Sequence, residues 1–511
     1  MSPGRLLRTA AALLFAPAAL PTRAAPAPGL TVVEVDPALP AAPGGNPARF
    51  PTLAAARDHV RTLPRAQRQG RVEVRLAATD HVLAETVVFA LADAPPEPGR
   101  LVLTSRDERP AVLRGSLPVS GWRRLAEGHP ELPAAAAGHV WVAPVPAGAT
   151  DTVRALFGPG GRLPRARSGQ LPIRGRPADH AGRWDARHQF SFPPGMLRPA
   201  ANLGDVELGI VPGRQFMMNL LELEALDADR GIARTRLPGT FTLLPYAGGL
   251  PETAWIENSL QFLDAPGEWV TDRRRGLLYL WPRAPEDLSA IRAAAPVELI
   301  RVEGAIDPAG RDTPVRGIEF RRLTFTESNR YAWHERTAGL QHDFELHDAP
   351  NALLRFRGAE DGVVEDCTFT DAGATGLRLD LHARGIRVIG NRFNRLGGAG
   401  IVVAGYGPGT KDVNGRHEIA HNAIAHLGQD YRVSPGIMLF QSADNHVHHN
   451  LLHDLPYMGI VLSGAWPNDW RRGDSRERAR TIRREEIAKR TAPTTRATTD
   501  SEFLQSQDGI Y

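Results

Sequence analysis

The stretch from Ala352 to Gly464 repeats one unit: a glycine, a short apolar strand, a polar turn and an asparagine-bearing strand. The apolar strands are Leu377 to His382, Ile401 to Ala404, Ile437 to Phe440 and Ile460 to Ser463, each preceded by Gly376, Gly400, Gly436 or Gly459. One strand-turn-strand unit cannot bury its own apolar face, so a period in the twenties predicts a solenoid of stacked parallel coils.

Side chains alternate along a strand. Leu377, Leu379 and Leu381 are expected inside, with Arg378, Asp380 and His382 outside. In the preceding coil Leu354 and Phe356 point in, and Arg355 and Arg357 point out. Aligning the coils sets Arg355 against Asp380 and Arg357 against His382. Ala404 and Tyr406, then Phe440 and Ser442, continue these two columns. A stripe of Arg, Asp, His and Tyr suits a sugar chain, whose hydroxyls need fixed donors and acceptors and whose apolar faces need a ring. Its acid is expected to carry little packing. The structural alternative is an Arg355–Asp380 ion pair on a long sheet.

Loops crossing this face add Gln341, His342 and Asp343, which read equally as a solvated loop, and Asp412, in the glycine-rich run Gly405 to Asn414. That run lacks the strand-to-helix setting of a phosphate loop, which argues against nucleotide binding. Asp430 and Tyr431 lie in the next excursion. His446 and His448 share an outer face once Val447 points in, but a zinc site needs a third ligand. They read as solvated, and no metal or cofactor is expected. Asn391, Asn422 and Asn450 recur at one turn position and predict a ladder that satisfies turn backbone.

Arg5, Arg8, the apolar run Ala10 to Leu20 and Ala24-Ala25 make residues 1–25 a predicted export signal. Residues 26–139 should hold a strand (Leu30 to Val35), an amphipathic capping helix (Phe50 to Leu63) and the first coils. From 140 to 296 the period is lost. Val140 to Val142, Phe216 to Leu223 and Phe241 to Leu244 suggest antiparallel strands, and Trp269 to Trp281 a hairpin, hence a β-rich insertion. The main coils fill 297–464. Residues 465–511 read as a polar excursion with a helix between Ser475 and Arg490, and Asp508 to Tyr511 as the start of a further coil. A net charge of +4 over 511 residues gives no argument for nucleic acid. Cys367, the one cysteine, is expected buried and unpaired. After signal removal no segment is long enough to span a membrane, and a monomer is expected.

Several motifs together carry a resemblance. They are Phe50 to Arg57, Gly121-Trp122, Leu156-Phe157 with Arg165 to Arg167, Asp264 to Trp269 with the Tyr279 hairpin, Gly339 to Asp343, Leu379 to His382, and Pro456 to Ile460. The chain resembles secreted right-handed parallel β-helix proteins of the pectin-lyase-like superfamily, and more narrowly glycoside hydrolase family 141, known for α-fucosidase and xylanase activity. The resemblance implies an all-β, right-handed parallel β-helix interrupted by a β-rich domain. It also implies polysaccharide cleavage by carboxylates on the outer face of the coils. Asp380 is then the first catalytic candidate, with Asp343 or Asp412 as partner and Asp430 a further option. His382, His342, Gln341, Arg355, Arg357 and Tyr406 would bind substrate. Two other readings stay open: a lyase on an acidic glycan, with Arg355, Arg357 and Arg378 near the abstracted proton, and a non-catalytic glycan-binding β-helix.

Overall fold

The computed structural model describes residues 29–126, 129–149, 152–213, 216, 218–239, 241–247, 253–307, 310–331, 348–406 and 411–463. The predicted signal, the Gln341-His342-Asp343 trio and the segment after 464 lie outside these residues.

Three long parallel sheets wrap one core: sheet A with 9 strands, sheet B with 7 and sheet C with 8. Each coil gives a strand to A, then B, then C. The first comprises Arg71–Leu76, Asp80–Val82 and Val87–Ala90, and the last described comprises His446–His448, Leu451–His453 and Ile460–Ser463. Sheet B takes one strand from each coil, so the described solenoid has 7 coils. This is the right-handed parallel β-helix.

Single residues in the left-handed region turn the corners. Arg322, Asp366, Gly390, His421 and His449 hold the A–B corner in successive coils, and Glu327, Asp371, Arg395, His426 and Asp454 lie at or just past the ends of the B strands. Such a residue redirects the chain without a loop, and Asn, Asp, His and Gly tolerate it best. Inside, the Phe325, Phe369 and Phe393 rings stack with centroids 4.8 and 4.7 Å apart. The asparagine ladder forms: Asn391 accepts from Cys367 N and donates to Val364 O, both at 2.9 Å, and Asn422 and Asn450 repeat the pattern. Cys367 is buried and unpaired. The repeated glycines reflect coil spacing. A Cβ on Gly400 would sit 2.6 Å from Gly436 O, and one on Gly436 2.6 Å from Gly459 O.

At the N-terminal end, Leu30–Val35 and Ala48–Phe50 extend sheet A beyond the first coil. The helix Leu53–Thr62, whose N-terminus is capped by Thr52 Oγ1, buries Leu53, Ala56 and Val60 in the solenoid core.

The second coil leaves the solenoid after Ala111–Arg114 and re-enters at Ile300–Glu303. Three antiparallel sheets lie between. Ser116–Pro118 pairs with Arg292–Ala294 and closes the base of the insertion. Antiparallel pairing thus begins well before the expected residue 140, in strands too short to show alternation. Trp269–Asp272 and Leu277–Leu280 form the predicted hairpin. Asn219–Asp227 is a strand, whereas the described residues of 241–244 form none.

The insertion is docked on the solenoid. Tyr331, Ala349, Tyr431 and Val433, from B–C corners, share an apolar cluster with Phe190, Leu208, Ile210 and Trp255 of the insertion. Beside it the buried Glu207 accepts from Arg165 and from Arg330, which is 1 % exposed. Burial works against ionisation of Glu207, but the charges of Arg330 and Arg165 outweigh it and hold the carboxyl far below its usual range.

Candidate active site on the outer face of sheet C

The outer face of sheet C runs between two sets of connections. On the B–C side it is flanked by the insertion and by the excursion that opens at Leu427, between the strands Ala423–Ala425 and Ile437–Phe440. The C–A connections containing Asp312 and Lys411 flank the other side. The face itself is built by strict pairing. Arg301, Arg355, Arg378, Val402 and Met438 form one column, and Glu303, Arg357, Asp380, Ala404 and Phe440 the next.

The register corrects one expectation. Arg355 pairs with Arg378 and Arg357 with Asp380, one step away from the alignment read in the sequence. These pairs continue the register that starts at Ala352 and Thr375, and a bulge follows them: Leu381 adopts a φ of 55°, and the pairing shifts between Arg357 and Ala359. A bulge re-aims side chains and is common beside active sites. The upper columns, Asp380 to Ala404 to Phe440, fall as expected.

The face is also less open than outward-pointing residues imply. Asp380 is 1 % exposed, Arg355 3 % and Arg378 0 %. Asp380 accepts from Arg355 Nε at 2.6 Å and from Arg378 Nε and Nη2, both at 2.9 Å. Arg378 Nη1 donates to Asn351 Oδ1 at 2.8 Å. Further along the face, Val402, Ala404, Met438 and Phe440 form a buried apolar cluster.

Arg355 is the hub. Besides Asp380 it donates to Asp348, and its Nη1 lies 3.7 Å from Glu298 Oε1. Three carboxylates therefore share one guanidinium, and their environments differ. Asp348 accepts from Arg357 Nε and Nη2, each at 2.8 Å, and its side chain is 32 % exposed. Burial opposes its ionisation, but the Arg357 hydrogen bonds and the Arg355 charge prevail and hold it well below the usual carboxylate range. Glu298 is 2 % exposed, and its carboxyl accepts from Arg301 Nη1 at 2.5 Å. Its Oε1 accepts no hydrogen bond among the described residues. There burial dominates over Arg355 and Arg301 and pushes the carboxyl up.

A second cluster holds His382 and Tyr406. His382 Nε2 lies 2.8 Å from Glu360 Oε1, and its Nδ1 3.4 Å from Asp312 Oδ2. Asp312 also accepts from Tyr406 OH at 2.8 Å and Lys411 Nζ at 2.7 Å. Burial opposes ionisation of Asp312, and the Lys411 and Tyr406 hydrogen bonds overcome it, lowering its pKa. Asp412 is exposed, next to Lys411. Asp430 is apart from both clusters, paired with Arg162 of the insertion. Thus Asp380, Arg355 and Arg357 meet in one network, and His382 and Tyr406 in the adjoining one. Sequence reasoning misses Glu298, Asp348 and Asp312. None lies on an alternating strand, so no periodicity marks them.

No protein-family model matches the sequence, nor does any curated protein. Solved structures do match. One named a glycoside hydrolase superposes with a TM-score of 0.64 at 20 % identity, covering 86 % of this chain and 80 % of that one. A complex of XylC with xylose gives 0.43 at 13 % identity, over 85 % of this chain and 60 % of that one. A GH136 lacto-N-biosidase from Eubacterium ramulus gives 0.34 at 9 %, over 86 % and 55 %. The first likeness shows a shared fold.

Proposed function

We propose that the protein is an exported glycoside hydrolase acting on a polysaccharide or oligosaccharide, with its chemistry on the outer face of sheet C. The observation that carries the reading is the Arg355 hub. Cleaving a glycosidic bond takes two carboxyl groups, one protonated and one ionised. Here Asp348 is held ionised at the open edge of the network, while Glu298 is driven toward its protonated form across the same guanidinium. Asp348 is the base or nucleophile in this reading, and Glu298, whose pKa burial raises, is its partner on the acid side. Asp380, saturated by Arg355 and Arg378, positions the hub. Asp343, five residues before Asp348 in the chain, stays a candidate for the acid that meets the leaving group. Arg357, and His382 and Tyr406 of the second cluster, would contact sugar hydroxyls.

The activity class is brought from the structural neighbour named a glycoside hydrolase, and the export from the N-terminal signal pattern. Among the described residues no helix is long and apolar enough to cross a membrane. One observation favours a second reading. Arg301 and Arg357 line the partly open edge, with side chains 25 % and 22 % exposed, and would neutralise an acidic sugar for a lyase. Incubation with neutral and uronic-acid glycans, followed by product analysis, tests both. Saturated products with new reducing ends support the hydrolase, unsaturated products support the lyase, and binding without turnover rejects both.

A further inference from the structure

We infer that the A–B corner of the last two described coils is a binding site for a divalent transition-metal ion, held by His421, His448 and His449. One ring nitrogen from each histidine lies within 4.8 Å of the others. His421 comes from one coil, and His448 and His449 from the next. Stacking brings His421 to His448 and His449, and His446, which shares the strand with His448, is not part of the set.

The arrangement is more than a crowd of surface histidines. His421 and His449 occupy equivalent left-handed corner positions, with φ of 58° and 53°, and their rings stack at 5.0 Å. His448 stands perpendicular to both, 5.8 Å from His421 and 5.0 Å from His449. Its Nδ1 lies 2.8 Å from His449 Nδ1, where one ring donates a hydrogen bond to the other, and a metal ion would displace that shared proton. Its Nε2 faces Glu418 Oε1 at 3.7 Å. A carboxylate behind the non-ligating nitrogen orients an imidazole and strengthens it as a donor. Glu418 in turn accepts a hydrogen bond from Arg387 Nε at 2.8 Å.

The fold does not require histidine here. The same corner in earlier coils carries Arg322, Asp366 and Gly390. Zinc–nitrogen bonds of about 2.0–2.1 Å fit three such nitrogens after small side-chain rotations, leaving a fourth position to solvent. Imidazole sets of this kind suit zinc, copper or nickel rather than calcium or magnesium. A bound ion would tie the two coils together at their corner.

The test is calorimetric titration of chelator-treated, full-length protein with Zn²⁺, alongside thermal melting with and without Zn²⁺. The variants are His421→Asn and His449→Asn, because asparagine tolerates the left-handed corner, with His453→Asn as a control outside the cluster. The expected result is one equivalent of zinc bound by the wild type and the control, with a zinc-dependent rise in Tm. Both corner variants lose that equivalent and that rise while melting normally without metal. Glu418→Gln weakens binding roughly tenfold or more. Absence of binding by the wild type, or equal binding by the corner variants, overturns the site.

Discussion

Arg355 reaches Asp380 with its Nε at 2.6 Å, and both side chains are almost wholly buried although both point away from the solenoid core. An outward position on a coil is therefore not an exposed one on this face. The first consequence concerns stability. Replacing Asp380 by Ala leaves Arg355 and Arg378 without a shared counter-charge in a buried setting, which costs about 3–5 kcal/mol. Urea denaturation of Asp380→Ala should show this loss. A change below about 1 kcal/mol, the scale of an exposed pair, would refute it.

The hub also predicts opposite pH effects from two of its acids. Glu298 has a raised folded-state pKa, so its contribution is fully present below its ordinary value of 4.5 and is lost as pH rises through the raised one. Asp348 has a lowered pKa, so its contribution is present above its ordinary 3.8 and is lost as pH falls toward the folded value. In Tm measured against pH, Glu298→Gln should remove part of the decline above pH 4.5, and Asp348→Asn part of the decline below 3.8. Parallel curves for wild type and both variants would refute the assignment.

Coil spacing gives a third prediction. A methyl group at Gly400 meets Gly436 O at 2.6 Å and Ile424 Cγ2 at 3.0 Å, neither of which can swing aside. Gly400→Ala should lose about 1–3 kcal/mol by denaturant unfolding. Gly44→Ala, with nothing within 4 Å of the new methyl, serves as the neutral comparison.

Docking of the insertion gives a fourth. Glu207→Gln leaves Arg330 buried without its charge partner, and a loss of about 3–5 kcal/mol is expected. Limited proteolysis should then cut the insertion faster than the solenoid. Unchanged cleavage would show that the apolar cluster around Trp255 holds the insertion by itself.

The coils are legible in the sequence because their determinants are local. Glycines precede the apolar runs of the last four sheet C strands, apolar residues alternate, and Asn391, Asn422 and Asn450 recur at one corner. Alternation gives the direction of the Arg355 side chain but not its partner in the next coil, so that pairing is misplaced by one step, and nothing in the sequence marks the left-handed bulge at Leu381 that follows. Glu298 reaches Arg355 only through the stacking of successive coils, and the third imidazole, His421, reaches His448 the same way. Burial of Asp380 is illegible for a related reason: alternation gives the direction of a side chain, not what lies over it.

The central claim is that Asp348 and Glu298, on either side of Arg355, serve glycoside cleavage. The most direct measurement is reducing-end release from a glycan panel by wild type, Asp348→Asn and Glu298→Gln, each confirmed as folded by its melting transition. The account predicts release by the wild type and a loss of about 100-fold or more in each variant, the scale of removing a positioned acid or base. Release that is undiminished in both folded variants would contradict it.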